Sequence, residues 1–314
     1  MATGAMKVRY GIGEWFGRDV TGLNRVQRGA NLALAQNKST LTAACPFAAA
    51  LNPQATCSKP GGVCTIRKYE QRGKGAVANS DQPVTVCPQR FLQGAKLLLW
   101  AAKVMLGTDH PLLIKEIPFL AKLTKNSTQP AEDSKKAGRI DWVLVHPDRK
   151  NSLRWCAVET QAVYFSGLAM GSEFQSWADA KVGAIPYPTE VRRPDYRSSG
   201  PKRLAPQLRV KVPELRNWGA KTAVIVDEYF FAQMSDLQEQ VGEPADQLAN
   251  AEVVWLVARY ERGELVPGRV LYARLEDSIR ALNATRPVGK LAFEEEIRRL
   301  LSDPKKLGKR VFKL

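Results

Sequence analysis

Two strand-forming segments joined by a short polar turn constrain the fold of this chain of 314 residues more than any other feature. The first segment, residues 139–145, is rich in β-branched and aromatic side chains, and the second covers residues 153–164. Residues 146–151 between them are polar and include a proline, which is typical of a turn. Because so short a connection joins antiparallel neighbours, the sequence predicts a β-hairpin within a sheet.

The predicted hairpin carries carboxylates that pairing of its strands would bring together. Asp141 lies near the start of the first strand, and Glu159 lies well along the second. Glu159 and Gln161 are two residues apart, so they project from the same face of a strand. Two carboxylates held in this way form an oxygen-rich site for Mg²⁺, and the backbone carbonyl of Thr160 is a further candidate ligand. Such a metal ion polarises a scissile phosphate and generates hydroxide.

The alternative is that Asp141 and Glu159 are ordinary surface residues at the ends of strands. Glu159 argues against this interpretation, because it interrupts an otherwise apolar strand. A carboxylate in such a place needs a metal ion or a charged partner. Both interpretations stay open, since the pairing of the strands is inferred from the pattern alone.

Four of the five cysteines lie within 43 residues, in the spacing C-x11-C-x6-C-x22-C. They are Cys45, Cys57, Cys64 and Cys87. Proline follows Cys45 and Cys87, and two glycines lie just before Cys64, which favours turns that aim backbone N–H groups at sulfur. Four thiolates make a closed tetrahedral site of structural type, for zinc or iron. Two disulfides or unrelated buried thiols are the alternatives, and disulfides are disfavoured without an export signal.

The positive charge of the chain is concentrated in two stretches. The formal net charge is +16, of which residues 1–90 hold +8 and residues 187–221 hold +6, whereas residues 222–314 hold −1. Concentrated basic charge favours a polyanion, while a generally basic surface would show a more even spread. We therefore expect a nucleic-acid partner. The second stretch supplies five candidate contacts to bases or phosphates, namely Arg192, Arg193, Arg197, Lys202 and Arg203.

The scarcity of histidine excludes several kinds of chemistry. Only His110 and His146 occur, which argues against HNH nucleases, His-ligated hydrolases and Ser-His-Asp hydrolases. Catalysis should therefore depend on carboxylates and a metal ion. No apolar run approaches the roughly 20 residues that cross a bilayer, and the N-terminus lacks a signal pattern. We expect a soluble, cytoplasmic protein that does not bind membranes.

The remaining pattern predicts an α/β (α+β) fold with a mixed central sheet flanked by helices. Helices are predicted at 91–106, 207–218 and 293–301, further strands at 222–226 and 252–260, and a polar surface loop at 122–138. The two strands extend the sheet of the hairpin.

The arrangement of Asp141, a hairpin and then Glu159 and Gln161 resembles the active-site motif of the PD-(D/E)XK nuclease superfamily. The sequence departs from that motif at two positions. Ile140 stands where the motif has proline, and Gln161 replaces its final lysine. A neutral glutamine can hydrogen-bond the attacking water but carries no charge.

The cysteine segments make the likeness more specific. Residues 45–47, 59–67, 87–91 and 159–167 are similar to segments of the NotI-type restriction endonucleases, and the resemblance runs from about residue 45 to 230. It implies a homodimeric type II enzyme that cuts double-stranded DNA at GC-rich palindromes in the prokaryotic cytoplasm. It also implies Mg²⁺ at the carboxylates and a structural iron at the four cysteines, with zinc as the alternative.

Carried over residue by residue, the resemblance implies an active site of Glu116, Asp141, Glu159 and Gln161. Asp141, Glu159 and the Thr160 carbonyl bind Mg²⁺, and Gln161 positions the water for in-line hydrolysis. Glu116 matches only by its position before the hairpin, and its alternative is a solvated carboxylate.

Two domains are expected. Residues 1–90 form a DNA-contacting region with the four-cysteine site, and residues 91–314 form the PD-(D/E)XK nuclease domain. Two other functions remain open at this point. One is a DNA-binding protein that is stabilised by a metal ion and whose carboxylates are structural. The other is a repair or junction nuclease of the same superfamily.

Overall fold

The computed structural model describes residues 7–36, 43–73, 75–78, 83–119, 138–148, 152–167, 169–181, 183–284, 288–306 and 309–312. The chain forms two compact units, Met1–Asn283 and Ala284–Leu314. The loop predicted at 122–138 lies outside the described residues, apart from Gly138.

The strands of the larger unit are β1 (Val8–Trp15), β2 (Arg18–Asp19), β3 (Val63–Arg72), β4 (Gly75–Ala78), β5 (Val84–Thr85), β6 (Leu112–Pro118), β7 (Arg139–Val145), β8 (Trp155–Thr160), β9 (Tyr164–Gly167), β10 (Arg192–Asp195), β11 (Lys221–Asp227), β12 (Val253–Glu261) and β13 (Glu264–Ala273). Its helices are α1 (Arg25–Ala35), α2 (Lys96–Leu106), α3 (Gly171–Asp179), α4 (Tyr196–Ser199), α5 (Ala205–Asn217), α6 (Glu228–Ala232), α7 (Pro244–Asn250) and α8 (Leu275–Asn283). The smaller unit contains α9 (Lys290–Ser302).

The central sheet has six strands in the order β13-β12-β11-β8-β7-β6. The predicted hairpin is confirmed, since β7 and β8 pair antiparallel with Trp142 opposite Val158. The predicted strands at 222–226 and 252–260 are confirmed as β11 and β12, and both pairings from β8 to β12 are parallel. The other neighbours are antiparallel, so the sheet is mixed as expected.

Helices cover both faces of this sheet. Successive side chains along its inner strands point to opposite faces and belong to two apolar cores. On β11, Ala223 and Ile225 belong to a core with α2, whereas Val224 and Val226 face a second core with α5 and α8. The helix predicted at 91–106 begins only at Lys96, since the preceding 3-10 turn kinks at Gly94. Gly107, with a φ of 70°, ends it in the left-handed conformation expected of a C-cap. The helices predicted at 207–218 and 293–301 are confirmed as α5 and α9.

A second sheet, formed near the N-terminus, packs against the same core. Its order is β2-β1-β3-β4, with β5 also paired to β3. One cluster of buried side chains joins Ile12 and Ile66 of this sheet to Val224 and Trp255 of the central sheet. The two sheets therefore share a hydrophobic core.

The second strand of the hairpin is shorter than predicted. It ends at Thr160, where the backbone N–H of Gln161 donates to the carbonyl of Ile225. Tyr164–Gly167 then forms the separate strand β9, which pairs antiparallel with β10. The pattern missed this break because the apolar run continues through Ala162 and Val163. Among the described residues, no helix has the length and apolar character needed to cross a membrane.

Candidate active site

A cleft of about 310 Å³ opens beside strands β6, β7 and β8. All the residues predicted for catalysis or catalytic metal binding line it, namely Glu116, Asp141, Glu159, Thr160 and Gln161. Arg203 and Leu204, just before α5, and Gln207, in its first turn, line it as well. The structure thus brings together residues that are distant in the sequence.

The strand register places three carboxylates in one row. Strands β6 and β7 pair on both sides of Glu116 and Asp141, which puts these two residues level with each other. The last regular pair of β7 and β8 is Trp142 with Val158, so Asp141 and Glu159 form the next level pair. The backbone of Glu116 has a positive φ and interrupts regular pairing there, so what the three carboxylates share is the cleft that they all line.

Asp141 is held by the strand next to it. Its Oδ2 accepts hydrogen bonds from the backbone N–H of Thr160 at 3.0 Å and from the Thr160 hydroxyl at 3.2 Å. These contacts fix the orientation of the carboxylate from the side of β8, while the residue still borders the cleft.

Glu159 is almost completely buried, with 2% of its surface exposed. Its Oε1 accepts a hydrogen bond from the ammonium Nζ of Lys211, on α5, at 2.7 Å. Burial and the charge of Asp141 raise the pKa of Glu159 to about 7, against the lowering effect of Lys211 and of a hydrogen bond from the backbone of Asp141. Two adjacent carboxylates in a buried place repel each other, and a cation between them would relieve this.

Glu116 differs from the other two carboxylates because it is exposed and already engaged. Its Oε1 lies 3.0 Å from Lys115 Nζ, and its Oε2 lies 2.8 Å from a guanidinium nitrogen of Arg139. The hydrogen bond from Lys115 is the main reason that the pKa of Glu116 is lowered. Its backbone has a φ of 54°, in the left-handed region that few non-glycine residues occupy.

Gln161 lines the cleft one residue beyond the end of β8. Its side-chain Nε2 donates to the backbone carbonyl of Ala162 at 2.6 Å, which orients the amide. The side-chain oxygen is then the part of this residue that accepts hydrogen bonds.

The oxygen donors of the cleft suit Mg²⁺ better than a metal that needs a full shell of protein ligands. Within the described part of the chain, no group of three or more His, Cys, Asp or Glu residues is arranged to hold a metal ion. Mg²⁺, however, is usually bound through one or two carboxylates and keeps several waters. Asp141 and Glu159 fit that requirement.

The four cysteines all lie in the part of the chain that the structure describes, but they are not arranged as a group that could hold a metal ion. Their thiols are free, and Cys57 is the one that is only half-buried. The backbone N–H of Cys87 donates to the carbonyl of Cys64 at 3.2 Å, and an isolated bridge between Ala44 and Thr56 connects the other two segments. Burial raises the pKa of Cys57, Cys64 and Cys87. The geometry therefore gives no support to a four-thiolate site.

The five predicted DNA contacts divide into two kinds. Arg193, Arg197, Lys202 and Arg203 are exposed, and Arg203 lies at the cleft, with its guanidinium 5.0 Å from the ring centre of Tyr164. Arg192 is buried instead. Its guanidinium pairs with Glu173 at 2.5 Å and donates to the carbonyl of Ala169 at 2.8 Å. Arg192 is thus engaged inside the protein.

Sequence reasoning missed Lys211, although a signal was present. Lys211 occupies the buried stripe of α5 together with Leu208, Val212 and Leu215. Spacings of three and four residues mark one face of a helix, so a lysine in this stripe is placed where an apolar residue is expected. Glu173 was missed because nothing in its local sequence sets it apart.

Comparison with known families places the chain among the restriction endonucleases. The family model described as Restriction endonuclease NotI matches residues 29–269. The chain belongs to this family, and it is therefore a type II site-specific deoxyribonuclease that binds double-stranded DNA. A search of curated proteins and a search of solved structures found no match.

Proposed function

We propose that the cleft is the active site of an Mg²⁺-dependent endonuclease that cuts double-stranded DNA at a GC-rich palindrome. The observation that carries this proposal is the row of Glu116, Asp141 and Glu159 on three adjacent strands, beside one cleft. A mixed sheet with an antiparallel hairpin carrying these carboxylates is the arrangement expected of a PD-(D/E)XK core, and residues 91–314 are proposed to form that nuclease domain.

Asp141, Glu159 and the backbone carbonyl of Thr160 are proposed to hold the metal ion. A bound Mg²⁺ would polarise the scissile phosphate and lower the pKa of its water. The contacts from the N–H and hydroxyl of Thr160 keep Asp141 oriented before the ion arrives, so binding requires little rearrangement.

The other cleft residues have supporting tasks in this proposal. Gln161 accepts a hydrogen bond from the attacking water through its side-chain oxygen, since its Nε2 is engaged with Ala162. Glu116 is a ligand only if the ion pairs with Lys115 and Arg139 exchange. Arg203 lies at the cleft, where its guanidinium can contact a phosphate next to the scissile bond.

DNA binding is proposed to use the two basic stretches, of which the second reaches the cleft at Arg203. Arg193, Arg197, Lys202 and Arg203 contact phosphates or guanine edges, and residues 1–90 provide further contacts. Arg192 is left out of this set because it is buried against Glu173. A palindromic target is matched by a two-fold symmetric protein, so we propose a homodimer.

The four cysteines keep the role that the family resemblance implies, which is a structural iron or zinc site in the N-terminal region. What supports this is the family resemblance, since the four thiols do not form a metal-binding cluster among the described residues. No step of the cleavage reaction is assigned to this site.

Digestion of a GC-rich phage DNA with and without Mg²⁺ tests the proposal. The intact protein should give discrete fragments only with Mg²⁺, and Glu159→Ala should give none. Glu264→Gln is a matched control, because Glu264 is an exposed glutamate that pairs with Lys96 away from the cleft. It should cut like the intact protein.

Equal cutting by Glu159→Ala and the intact protein would place the active site elsewhere. Discrete cutting without any divalent metal would refute Mg²⁺ dependence. Fragments whose ends lack a GC-rich palindrome would refute the proposed target while leaving the active site in place.

A further inference from the structure

Lys211 is a charged residue in an apolar place. It lies on α5 with only 4% of its surface exposed, in the same stripe as the buried Leu208, Val212 and Leu215. Lysine is almost never buried to this degree unless its ammonium has partners, because removing the charge from water is costly.

Both hydrogen-bond acceptors of Lys211 line the cleft. Its Nζ donates to Glu159 Oε1 at 2.7 Å and to Gln207 Oε1 at 3.2 Å. Gln207 lies one helical turn before Lys211, so α5 presents an amide and an ammonium to the same site. A buried lysine thus connects the helix to one of the central carboxylates.

Stability alone does not account for this ion pair. Replacing a buried pair with apolar side chains of similar volume is often neutral or stabilising. The position of the pair does have a functional consequence, since Glu159 is level with Asp141 and the neighbouring Gln161 is neutral. The ammonium of Lys211 lies directly against the buried member of this pair of carboxylates.

We propose that Lys211 is a positioning residue of the cleavage site. Its ammonium holds Glu159 in one orientation, together with the backbone hydrogen bond from Asp141, and offsets the repulsion between the two carboxylates. It also holds Gln207 at the wall of the cleft. The inference rests on the proposed function, because it assigns Lys211 to the same Glu159 site.

The first test uses metal-free protein without DNA. The midpoint of thermal unfolding is measured for Lys211→Met, Glu159→Gln and the double variant. If the two side chains form the pair described, the effects of the single substitutions will not add, since the double variant leaves no buried charge behind. Additive effects would overturn the pairing.

The second test separates cleavage from binding. Lys211→Met should lower the single-turnover rate with Mg²⁺ about 10- to 100-fold, as expected when a partner of a metal ligand is removed. The Kd for DNA in Ca²⁺ should change by less than about threefold, because the buried Lys211 exposes too little surface to contact DNA directly. Lys211→Arg should recover most of the rate, and the double variant with Glu159→Gln should be no slower than Glu159→Gln alone.

Two further variants keep the outcome decisive. Lys221→Met is a matched control, because Lys221 also donates two hydrogen bonds, to the backbone carbonyls of Ala249 and Ala251, but neither of these residues lines the cleft. It should unfold at lower temperature and cleave at the normal single-turnover rate. If Lys211→Met does not fold, Lys211→Gln replaces it, because it keeps a donor and loses the charge.

The results distinguish failure of the inference from failure of the proposed function. Normal cleavage by the Lys211 variants, together with an inactive Glu159→Gln, would overturn the inference and leave the active site intact. A loss of rate fully explained by weaker DNA binding would also overturn it. Normal cleavage by Glu159→Gln would instead refute the proposed site.

Discussion

Arg192→Met is expected to destabilise the protein without a specific effect on DNA binding. Arg192 and Glu173 expose 4% and 2% of their surfaces, and their ion pair joins β10 to α3. The other carboxylate oxygen of Glu173 accepts the backbone N–H of Ile12 in β1 at 2.8 Å. Removing the guanidinium leaves a buried carboxylate with one remaining partner, which costs about 3–5 kcal/mol.

The size of this effect can be measured by thermal unfolding. At roughly 1.5 °C per kcal/mol for a chain of this size, the midpoint should fall by about 5–8 °C. Adding Glu173→Gln to Arg192→Met should recover much of the loss, because the remaining side chain is neutral and still accepts the N–H of Ile12. Arg193→Met, at the exposed neighbouring position, should change stability by less than about 0.5 kcal/mol.

An unchanged midpoint for Arg192→Met, combined with a loss of DNA affinity in the folded protein, would refute this reasoning. Arg192 would then belong with the DNA contacts, as its sequence position predicts, and the ion pair with Glu173 would have little energetic weight.

Three further predictions concern charge, pH and metal content. Arg193→Ala and Lys202→Ala should each reduce the slope of log Kd against log salt by about 1.8 in the proposed homodimer, at about 0.9 for each of two symmetric contacts, and an unchanged slope would exclude a phosphate contact. The pKa of Glu159 is raised from 4.5 to about 7, so the stability that its protonated form contributes to the metal-free protein is lost as pH rises from about 4.5 to about 7. Urea unfolding across this range should show the loss in the intact protein but not in Glu159→Gln, and identical pH profiles would contradict it. Elemental analysis should find about one iron or zinc per chain, lost in Cys64→Ser but kept in Cys156→Ser, whereas metal-free purified protein would contradict the four-cysteine proposal.

The parts of the fold that could be predicted are those governed by local pattern. The β-branched run of β7, the polar turn after it and the apolar run of β8 identified the hairpin, and Gly107 identified the end of α2. The parallel pairing of β8 with β11 could not be predicted, because it joins residues about 65 positions apart. The break after Thr160 was missed because the apolar run continues past it, whereas the end of the strand depends on a hydrogen bond to Ile225, far away in the sequence.

The candidate site was predictable to the extent that strand geometry fixes it. A hairpin necessarily brings Asp141 close to Glu159, so their proximity followed from sequence spacing. Lys211 reaches Glu159 only through the packing of α5 on the sheet, which spacing does not encode. Arg192 was wrongly predicted to contact DNA. An arginine in a basic stretch is expected to be exposed, and only the structure shows its buried partner Glu173.

The most direct test of the account is the Mg²⁺-dependent cleavage rate of Asp141→Asn, measured on GC-rich duplex DNA beside its DNA affinity in Ca²⁺. Glu264→Gln, which alters an exposed glutamate outside the cleft, is the control. Asp141→Asn is expected to bind DNA and to cut at least about 100-fold more slowly, because loss of a direct ligand should cost no less than loss of an outer partner. Cutting by Asp141→Asn at the rate of the control would contradict it.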